Sequence, residues 1–180
     1  MSANNNFRIA IWLIMLLGGA IVSFYLDSLL FKNIHSNIAF HIISFIIGII
    51  ILKLVVKISR NTGRTLAKYG RKGNIKRMET NVLVKEGIYK YMRHPMHLGL
   101  LFFPLGFAFI IGSPSFILLL APLEIIFMLV MIKFVEEPEA IKKFGDDYKS
   151  YMKQVPWFCF RKECIKELFK DVPKNNNAKL

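Results

Sequence analysis

The chain has 180 residues, a hydrophobic fraction of 54%, a mean hydropathy of +0.41 and a formal charge of +13. A soluble globular core does not need this combination, whereas a small integral membrane protein with basic cytosolic surfaces shows it. The length suits one domain, and two cysteines are too few for the disulfide framework of a small secreted protein.

Two apolar runs open the chain. The first extends from Phe7 to Leu26 and has the length of ~20 residues that a helix needs to span a bilayer. It follows a start without the basic region of a signal peptide and shows no clear cleavage site, so we expect it to stay as an anchor. The second run covers residues 37–58, with Lys53 and Lys57 near one end, where their charged heads can reach the interface.

The next segment, residues 59–93, is basic and is predicted to lie on the membrane surface as an amphipathic connection. Apolar residues return in 95–112 and 114–135, and the Gly-Ser-Pro-Ser sequence at 112–115 predicts a helix stop and a new start. Pro104 and Pro122 predict kinks. The sequence therefore predicts an all-α integral membrane protein of about four transmembrane helices, with the third and fourth forming a hairpin and amphipathic segments facing the cytosol.

Lysine and arginine set the predicted orientation. Residues 53–93 hold 12 of them and residues 133–180 hold 11 of the 25 in the chain. Basic loops stay on the cytosolic side, so both segments and both termini are predicted to be cytosolic. The charge of +13 is then explained by topology and anionic lipid headgroups, and we expect no nucleic-acid partner.

Arg93, His94 and Pro95 lie where the basic connection meets the third apolar run. The residue before a proline avoids helical geometry and proline suits the first turn, so His94 should end one conformation and Pro95 should begin a helix. The helix start beside Arg93 is expected to attract a carboxylate. Gly99, one turn further on, predicts the close approach of a backbone or a ligand. The alternative is a basic interfacial anchor without a ligand.

Glu136 and Glu137 end the fourth run, and the hairpin should return them to the face that carries Arg93 and His94. They are either a solvated acidic collar or the ammonium-binding half of a site for a zwitterion. Glu124 lies near the middle of the same run. It is either a functional base or a protonated acid bonded to a helix backbone or to His41.

Cys159 and Cys164 are predicted to be reduced packing residues. Two thiols five residues apart without a nearby histidine make a poor metal site, so no metal is expected.

Two sequence blocks resemble the isoprenylcysteine carboxyl methyltransferase and phospholipid methyltransferase superfamily. Residues 87–99, Gly-Ile-Tyr-Lys-Tyr-Met-Arg-His-Pro-Met-His-Leu-Gly, are similar to its G-x-Y-x-x-x-R-H-P-M-Y-x-G signature. Residues 136–151 are similar to its E-E-x(5 to 7)-F-G-x-x-Y-x-x-Y pattern, and Val-Pro-Trp-Phe at 155–158 to its closing V-P-x-F. The chain departs from the pattern at His97, where tyrosine is usual, and at Trp157, where many members carry arginine.

The resemblance implies a membrane enzyme that takes a methyl group from S-adenosylmethionine. It implies one domain over 1–158 with its cofactor half at 83–158, followed by a basic and partly disordered tail at 159–180. The cofactor-binding residues that it implies are Tyr89, Arg93, His94, Pro95, Gly99, Glu136, Glu137 and Tyr148. Arg93 and Glu124 are the candidate catalytic residues, with Glu124 a base for an amine acceptor.

The implied acceptor is a membrane lipid or a lipidated substrate, either a prenylcysteine carboxylate or a phospholipid amine. Two other functions stay open: a non-catalytic lipid-binding membrane protein, and a nicotinamide-dependent reductase on a related scaffold.

Overall fold

A computed structural model describes residues 2–73, 75 and 79–173, with side chains from residue 7 onward. The described residues form helices and connecting segments, as the sequence predicts. The α-helices are α1 (Ser2–Leu30), α2 (Lys32–His35), α3 (Ile38–Tyr69), α4 (Pro95–Leu101), α5 (Phe103–Ile111), α6 (Ala121–Met131), α7 (Glu137–Phe144), α8 (Asp146–Gln154) and α9 (Lys162–Phe169). A 3-10 helix covers Gly87–Lys90, and π-helical turns cover Phe116–Leu120 and Ile132–Glu136.

Three helical stretches are long and apolar enough to cross a membrane: Phe7–Leu30, Ile38–Tyr69 and Phe116–Phe144. The predicted third span is instead the shorter apolar segment Pro95–Ile111, interrupted at Phe102 just before Pro104. Proline removes a backbone donor and disturbs the preceding turn, which explains the interruption. The count of four spans stays a prediction.

The chain divides into two compact units that interleave in sequence. Unit 1 comprises Met1–Lys53 and Leu101–Leu129, and unit 2 comprises Leu54–Leu100 and Val130–Leu180.

Unit 1 contains the predicted turn between the third and fourth apolar runs. Gly112 has φ 69°, in the left-handed region that glycine adopts without penalty, and it ends α5 as predicted. The Oγ of Ser113 accepts the N–H of Phe116 at 3.1 Å, and the Oδ1 of fully buried Asp27 accepts the N–H of Ser115 at 2.7 Å. Both bonds satisfy donors at the start of the next helix, so Asp27 acts as a helix cap from a distant part of the sequence.

Unit 2 is organised around a buried cluster of apolar side chains from α3, the 3-10 helix, α4 and α9. Leu98 of α4 and Leu168 of α9 both belong to it. Gly99 packs against α3, because a Cβ added there would lie 2.9 Å from the Cγ2 of Ile58. The predicted close approach at this glycine is therefore a contact between two helices.

Two predictions about unit 2 are wrong. The second span was predicted to end at residue 58 in a surface-lying connection, but α3 continues to Tyr69 as one helix. The spacing of basic and apolar residues fits a surface-lying segment as well as a continued helix. Burial of Asn61, Thr62 and Thr65 favours the continued helix. The reduced thiols were also predicted wrongly, since Cys159 and Cys164 form a disulfide within the cluster.

The segment 159–180, predicted to be a partly disordered basic tail, includes α9, which packs through Cys164 and Leu168. The disorder was predicted for residues 173–177, and all of these but Pro173 lie outside the described part of the chain.

Candidate functional site

The site lies in unit 2 and begins where α4 begins. Arg93 and His94 precede Pro95, the first residue of α4, as predicted. The His94 carbonyl accepts the N–H of Leu98 at 3.0 Å. The N–H of Arg93 is bonded to the Pro156 carbonyl at 2.9 Å, and that of His94 to the Trp157 carbonyl at 3.2 Å. The Val-Pro-Trp-Phe segment thus fixes the backbone that carries both side chains.

Glu137 meets Arg93 and His94 at one carboxylate oxygen. Its Oε1 lies 2.7 Å from Nη2 and 3.0 Å from Nε of Arg93, and 3.3 Å from Nε2 of His94. All three side chains are buried. The π-helical turn at Ile132–Glu136 directly precedes Glu137, the first residue of α7. Such turns often occur at functional sites.

Arg93 is held on all sides. Its Nη1 donates to the carbonyls of Met152 at 2.8 Å and Val155 at 2.6 Å. Together with the bonds to Glu137, these contacts use four of the five N–H groups of the guanidinium. The sequence analysis predicted that Arg93 would grip a ligand carboxylate, but the structure commits it to Glu137 and to the end of α8.

Tyrosines from α8 complete the cluster. Tyr148 and Tyr151 are buried, and the Tyr151 hydroxyl donates to the Tyr89 carbonyl at 2.5 Å. Burial, followed by the negative charge of Glu137, raises the pKa of Tyr148 to about 12. Burial also raises the pKa of Tyr89, with a smaller contribution from Tyr151. These phenols are therefore neutral donors at physiological pH.

Burial lowers the pKa of His94 to about 4, assisted by the neighbouring His97, while the contact with Glu137 acts in the opposite direction. His94 is therefore a neutral imidazole near pH 7. His97 also lies 3.9 Å from Oε1 of Glu136 through its Nε2. The meeting of Arg93 and His94 with Glu137 was expected from the sequence, whereas the approach of His97 to Glu136 was not.

Glu124 belongs to unit 1, separately from this cluster. It is buried in α6, and a Cβ on Gly19 of α1 would approach its Oε1 to 3.0 Å. The alternative bond to His41 is not made, because His41 Nε2 contacts the His35 carbonyl at 2.6 Å. The catalytic role of Glu124 stays a prediction.

Sequence reasoning missed the carbonyl groups that hold Arg93 and the backbone pairing of His94 with Trp157. Backbone acceptors leave no signature in residue identity, although the Val-Pro-Trp-Phe block marked the segment.

Comparison with known proteins assigns the family. A family model described as "Phospholipid methyltransferase" matches residues 37–147. The chain belongs to this family, within the superfamily that also contains the isoprenylcysteine carboxyl methyltransferases.

Two yeast proteins are similar to this chain in sequence. The protein-S-isoprenylcysteine O-methyltransferase of Schizosaccharomyces pombe is 37% identical over 87 residues, which are 45% of this chain and 34% of the yeast protein. The protein-S-isoprenylcysteine O-methyltransferase of Saccharomyces cerevisiae is 36% identical over 87 residues, which are 44% of this chain and 33% of that yeast protein. The match thus spans about a third of each yeast protein.

A solved structure shares the fold. It is the eukaryotic intramembrane Ras methyltransferase ICMT (isoprenylcysteine carboxyl methyltransferase), with a TM-score of 0.57 and 21% identity. The similarity covers 84% of this chain and 53% of that one.

Proposed function

We propose that the protein is a membrane-embedded S-adenosylmethionine-dependent methyltransferase that acts on a lipid or lipidated acceptor at the cytosolic membrane face. The contact of Arg93 and His94 with Glu137 carries the proposal, because it joins the two blocks that resemble the superfamily's signature. Membership of the phospholipid methyltransferase family supports the same reaction class.

The side chains present fit the methionine end of this cofactor. Glu136 and Glu137 offer negative charge to an ammonium group, while neutral His94 and Tyr148 offer hydrogen bonds without adding charge. Arg93 has one N–H beyond its bonds to Glu137 and the carbonyl groups. We therefore propose that Arg93 positions Glu137, rather than touching the reacting atoms as the sequence analysis expected.

When bound, the cofactor supplies an electrophilic methyl group on its sulfonium. Methyl transfer is an in-line displacement, so the chain contributes alignment and exclusion of water more than proton transfer. The roles proposed for Tyr89, Pro95 and Gly99 are structural support of this pocket. Tyr89 is buried in the 3-10 helix that precedes α4, Pro95 is buried at the start of α4, and Gly99 packs closely against Ile58.

Two acceptors remain candidates. The names of the yeast relatives support a prenylcysteine carboxylate, which needs no base. The family description supports a phospholipid amine, which has to lose a proton, and this is the reaction in which Glu124 would act as the base.

Binding of labelled S-adenosylmethionine to detergent-purified protein tests the proposal. We expect micromolar-range binding that is lost in Glu137→Ala and strongly weakened in Glu137→Gln, which keeps the size of the side chain. Lys149→Ala is the matched control, because Lys149 is exposed on the surface of α8, where it pairs with Asp146. An intact fold without binding would reject the methyltransferase and favour a lipid-binding protein; binding of a nicotinamide cofactor instead would favour the reductase.

The acceptor needs a second assay. Membrane lipids and prenylated peptides are incubated with the enzyme and labelled cofactor and analysed by mass spectrometry. A methyl label on prenylcysteine or on phospholipid identifies the acceptor, and a label on neither contradicts both.

A further inference from the structure

The cluster around Glu137 has a buried part and a more exposed part. The side chains of Arg93, His94 and Glu137 are each 8% exposed, and Glu137 contacts the other two. The side chains of His97 and Glu136 are 28% and 33% exposed, and Nε2 of His97 lies 3.9 Å from Oε1 of Glu136. A substrate can therefore approach His97 and Glu136 without displacing the buried contact.

His97 and Trp157 are the positions at which the chain departs from the superfamily pattern, and both rings pack edge-on against His94. The ring centroids of His97 and His94 are 5.5 Å apart, and those of Trp157 and His94 are 6.2 Å apart. The chain thus has a neutral indole where many members carry arginine, and an imidazole where a phenol is usual. An imidazole exchanges protons near neutral pH, so the change at His97 adds a group that can take up a proton.

Of the two neighbouring imidazoles, His97 is the one suited to act as a base. Burial, followed by the charge of His97, lowers the pKa of His94 to about 4, so His94 stays neutral near pH 7. Nε2 of His97 faces the carboxylate of Glu136. A carboxylate beside one ring nitrogen favours the tautomer in which the other nitrogen accepts a proton. Glu137 and Arg93 are bonded to each other on the buried side of the cluster.

We infer that His97, oriented by Glu136, is the base that takes the proton of an ammonium acceptor. His97 lies in the first turn of α4, at the start of the apolar segment Pro95–Ile111, the level at which a lipid headgroup meets a membrane-embedded helix. The inference rests on the proposed function. It assigns the proton transfer to a residue of unit 2, which also contains the Arg93–Glu137 contact, in place of Glu124 of unit 1.

The proton moves from the acceptor nitrogen to the His97 imidazole, which becomes an imidazolium beside the Glu136 carboxylate. The nitrogen lone pair then forms a bond to the methyl carbon of the donor, and the carbon–sulfur bond breaks with its electron pair on sulfur. The products are a methylated ammonium and a neutral thioether, and His97 returns its proton to water. A carboxylate acceptor has no proton to lose, so this reaction would not use His97 as a base.

Methyl transfer to two acceptor probes tests the inference. One is phosphatidylethanolamine in phosphatidylcholine vesicles, whose nucleophile is an amine, and the other is N-acetyl-S-farnesylcysteine, whose nucleophile is a carboxylate. We expect reconstituted wild type to methylate phosphatidylethanolamine. His97→Gln should lower kcat for this probe by about 10²–10⁴-fold, the contribution of one general base. It should bind S-adenosylhomocysteine as tightly as wild type, because the buried contact of Arg93 with Glu137 is intact.

The pH profile separates a base from a packing residue. In His97→Gln only acceptor that has already lost its proton to water reacts, so the rate should rise about ten-fold per pH unit. The rates of variant and wild type should converge near the pKa of the acceptor amine. Free imidazole should restore part of the activity of His97→Ala, because the position is partly exposed.

Two glutamates provide the matched comparison. At saturating cofactor, Glu136→Gln should also lower kcat for phosphatidylethanolamine, by less than His97→Gln, because the base remains but is no longer oriented. Glu139 carries the same charge on the exposed part of α7, so Glu139→Gln is the control and should leave the rate unchanged.

Parallel pH profiles of wild type and His97→Gln would overturn the inference, as would loss of S-adenosylhomocysteine binding in this variant. Loss of amine methylation in Glu124→Gln but not in His97→Gln would assign the base to Glu124 instead. Wild type that binds S-adenosylhomocysteine but does not methylate phosphatidylethanolamine would also overturn the inference, while the methyltransferase proposal stands. Absence of S-adenosylhomocysteine binding by folded wild type would overturn the proposed function itself.

Discussion

The carboxylate of Glu137 and the guanidinium of Arg93 form a buried pair, with Oε1 accepting from Nη2 at 2.7 Å and from Nε at 3.0 Å. The two residues are 44 positions apart in sequence and belong to different signature blocks. Their contact explains why both blocks are needed for one site. It also makes Arg93 a structural partner of Glu137, so loss of function after a change at Arg93 has to be separated from loss of folding.

Arg93→Leu should destabilise the protein by about 3–5 kcal/mol, because it leaves Glu137 charged and buried without its partner. The double variant Arg93→Leu/Glu137→Leu should be less destabilised than the single one, since no buried charge remains, yet it should not bind S-adenosylmethionine. Thermal unfolding in detergent and cofactor binding measure the two effects. A single variant as stable as wild type would contradict the buried pair, whereas Lys149→Ala on the exposed face of α8 should change neither quantity.

His94 predicts a pH dependence of stability. Its pKa is about 4 in the folded protein against an ordinary value of 6.5, so between these values the unfolded chain binds the extra proton. The contribution of the neutral imidazole is fully present above about pH 6.5 and is lost as the pH falls through 4.

The expected loss is about 2–3 kcal/mol of the free energy of unfolding between pH 7 and pH 4. Denaturant unfolding at several pH values measures it. His94→Gln cannot take up the proton and should show a flatter profile by this amount. Parallel profiles for the two proteins would show that His94 is not held neutral.

Two helical glycines should respond oppositely to the same substitution. Gly99→Ala places a Cβ 2.9 Å from Cγ2 and 3.2 Å from Cβ of Ile58, so it should destabilise by about 1–3 kcal/mol through overpacking. At Gly63, apart from its chain neighbours and the backbone of its own helix, no atom of the described residues lies within 4 Å of such a Cβ. Gly63→Ala should therefore stabilise by up to about 1 kcal/mol, the difference in helix propensity.

A double-mutant cycle with Ile58→Ala tests whether contact with Ile58 causes the destabilisation expected for Gly99→Ala. The smaller side chain should accommodate the added methyl group, so Gly99→Ala should cost less in the Ile58→Ala background than in wild type. Equal costs in the two backgrounds would mean that Ile58 does not restrict the position.

Much of this architecture was predictable from local chemistry. Pro95 starts a helix and Gly112 ends one, because both residues restrict or permit particular backbone angles. The meeting of Glu137 with Arg93 and His94 followed from the two sequence blocks. The extension of α3 to Tyr69 did not follow, because a basic amphipathic pattern fits a surface segment as well as a helix packed on one side.

Other long-range contacts could not be predicted from the sequence. Asp27 caps the N–H of Ser115 across 88 positions, and Arg93 uses carbonyls at the end of α8. Neither contact changes the local pattern of hydrophobicity that identifies a helix.

The disulfide between Cys159 and Cys164 corrects the sequence prediction and allows a last test. Both cysteines are buried in the cluster that joins α9 to the rest of unit 2. Thiol–disulfide exchange needs access to a sulfur atom, so burial should protect the bond even if this segment faces the reducing cytosol, as its lysines and arginines predict. With mild reductant, an alkylating reagent should therefore modify neither cysteine in native protein. After unfolding, the reagent should modify neither cysteine without reductant and both with it. Alkylation of the unfolded protein without reductant would show that the pair is open.

Loss of the bond in Cys159→Ser/Cys164→Ser should lower the free energy of unfolding by about 2 kcal/mol, the chain-entropy value for a short loop. Labelling of Lys149→Cys in this cysteine-free background, in sealed vesicles of known orientation, then determines which membrane face α8 occupies.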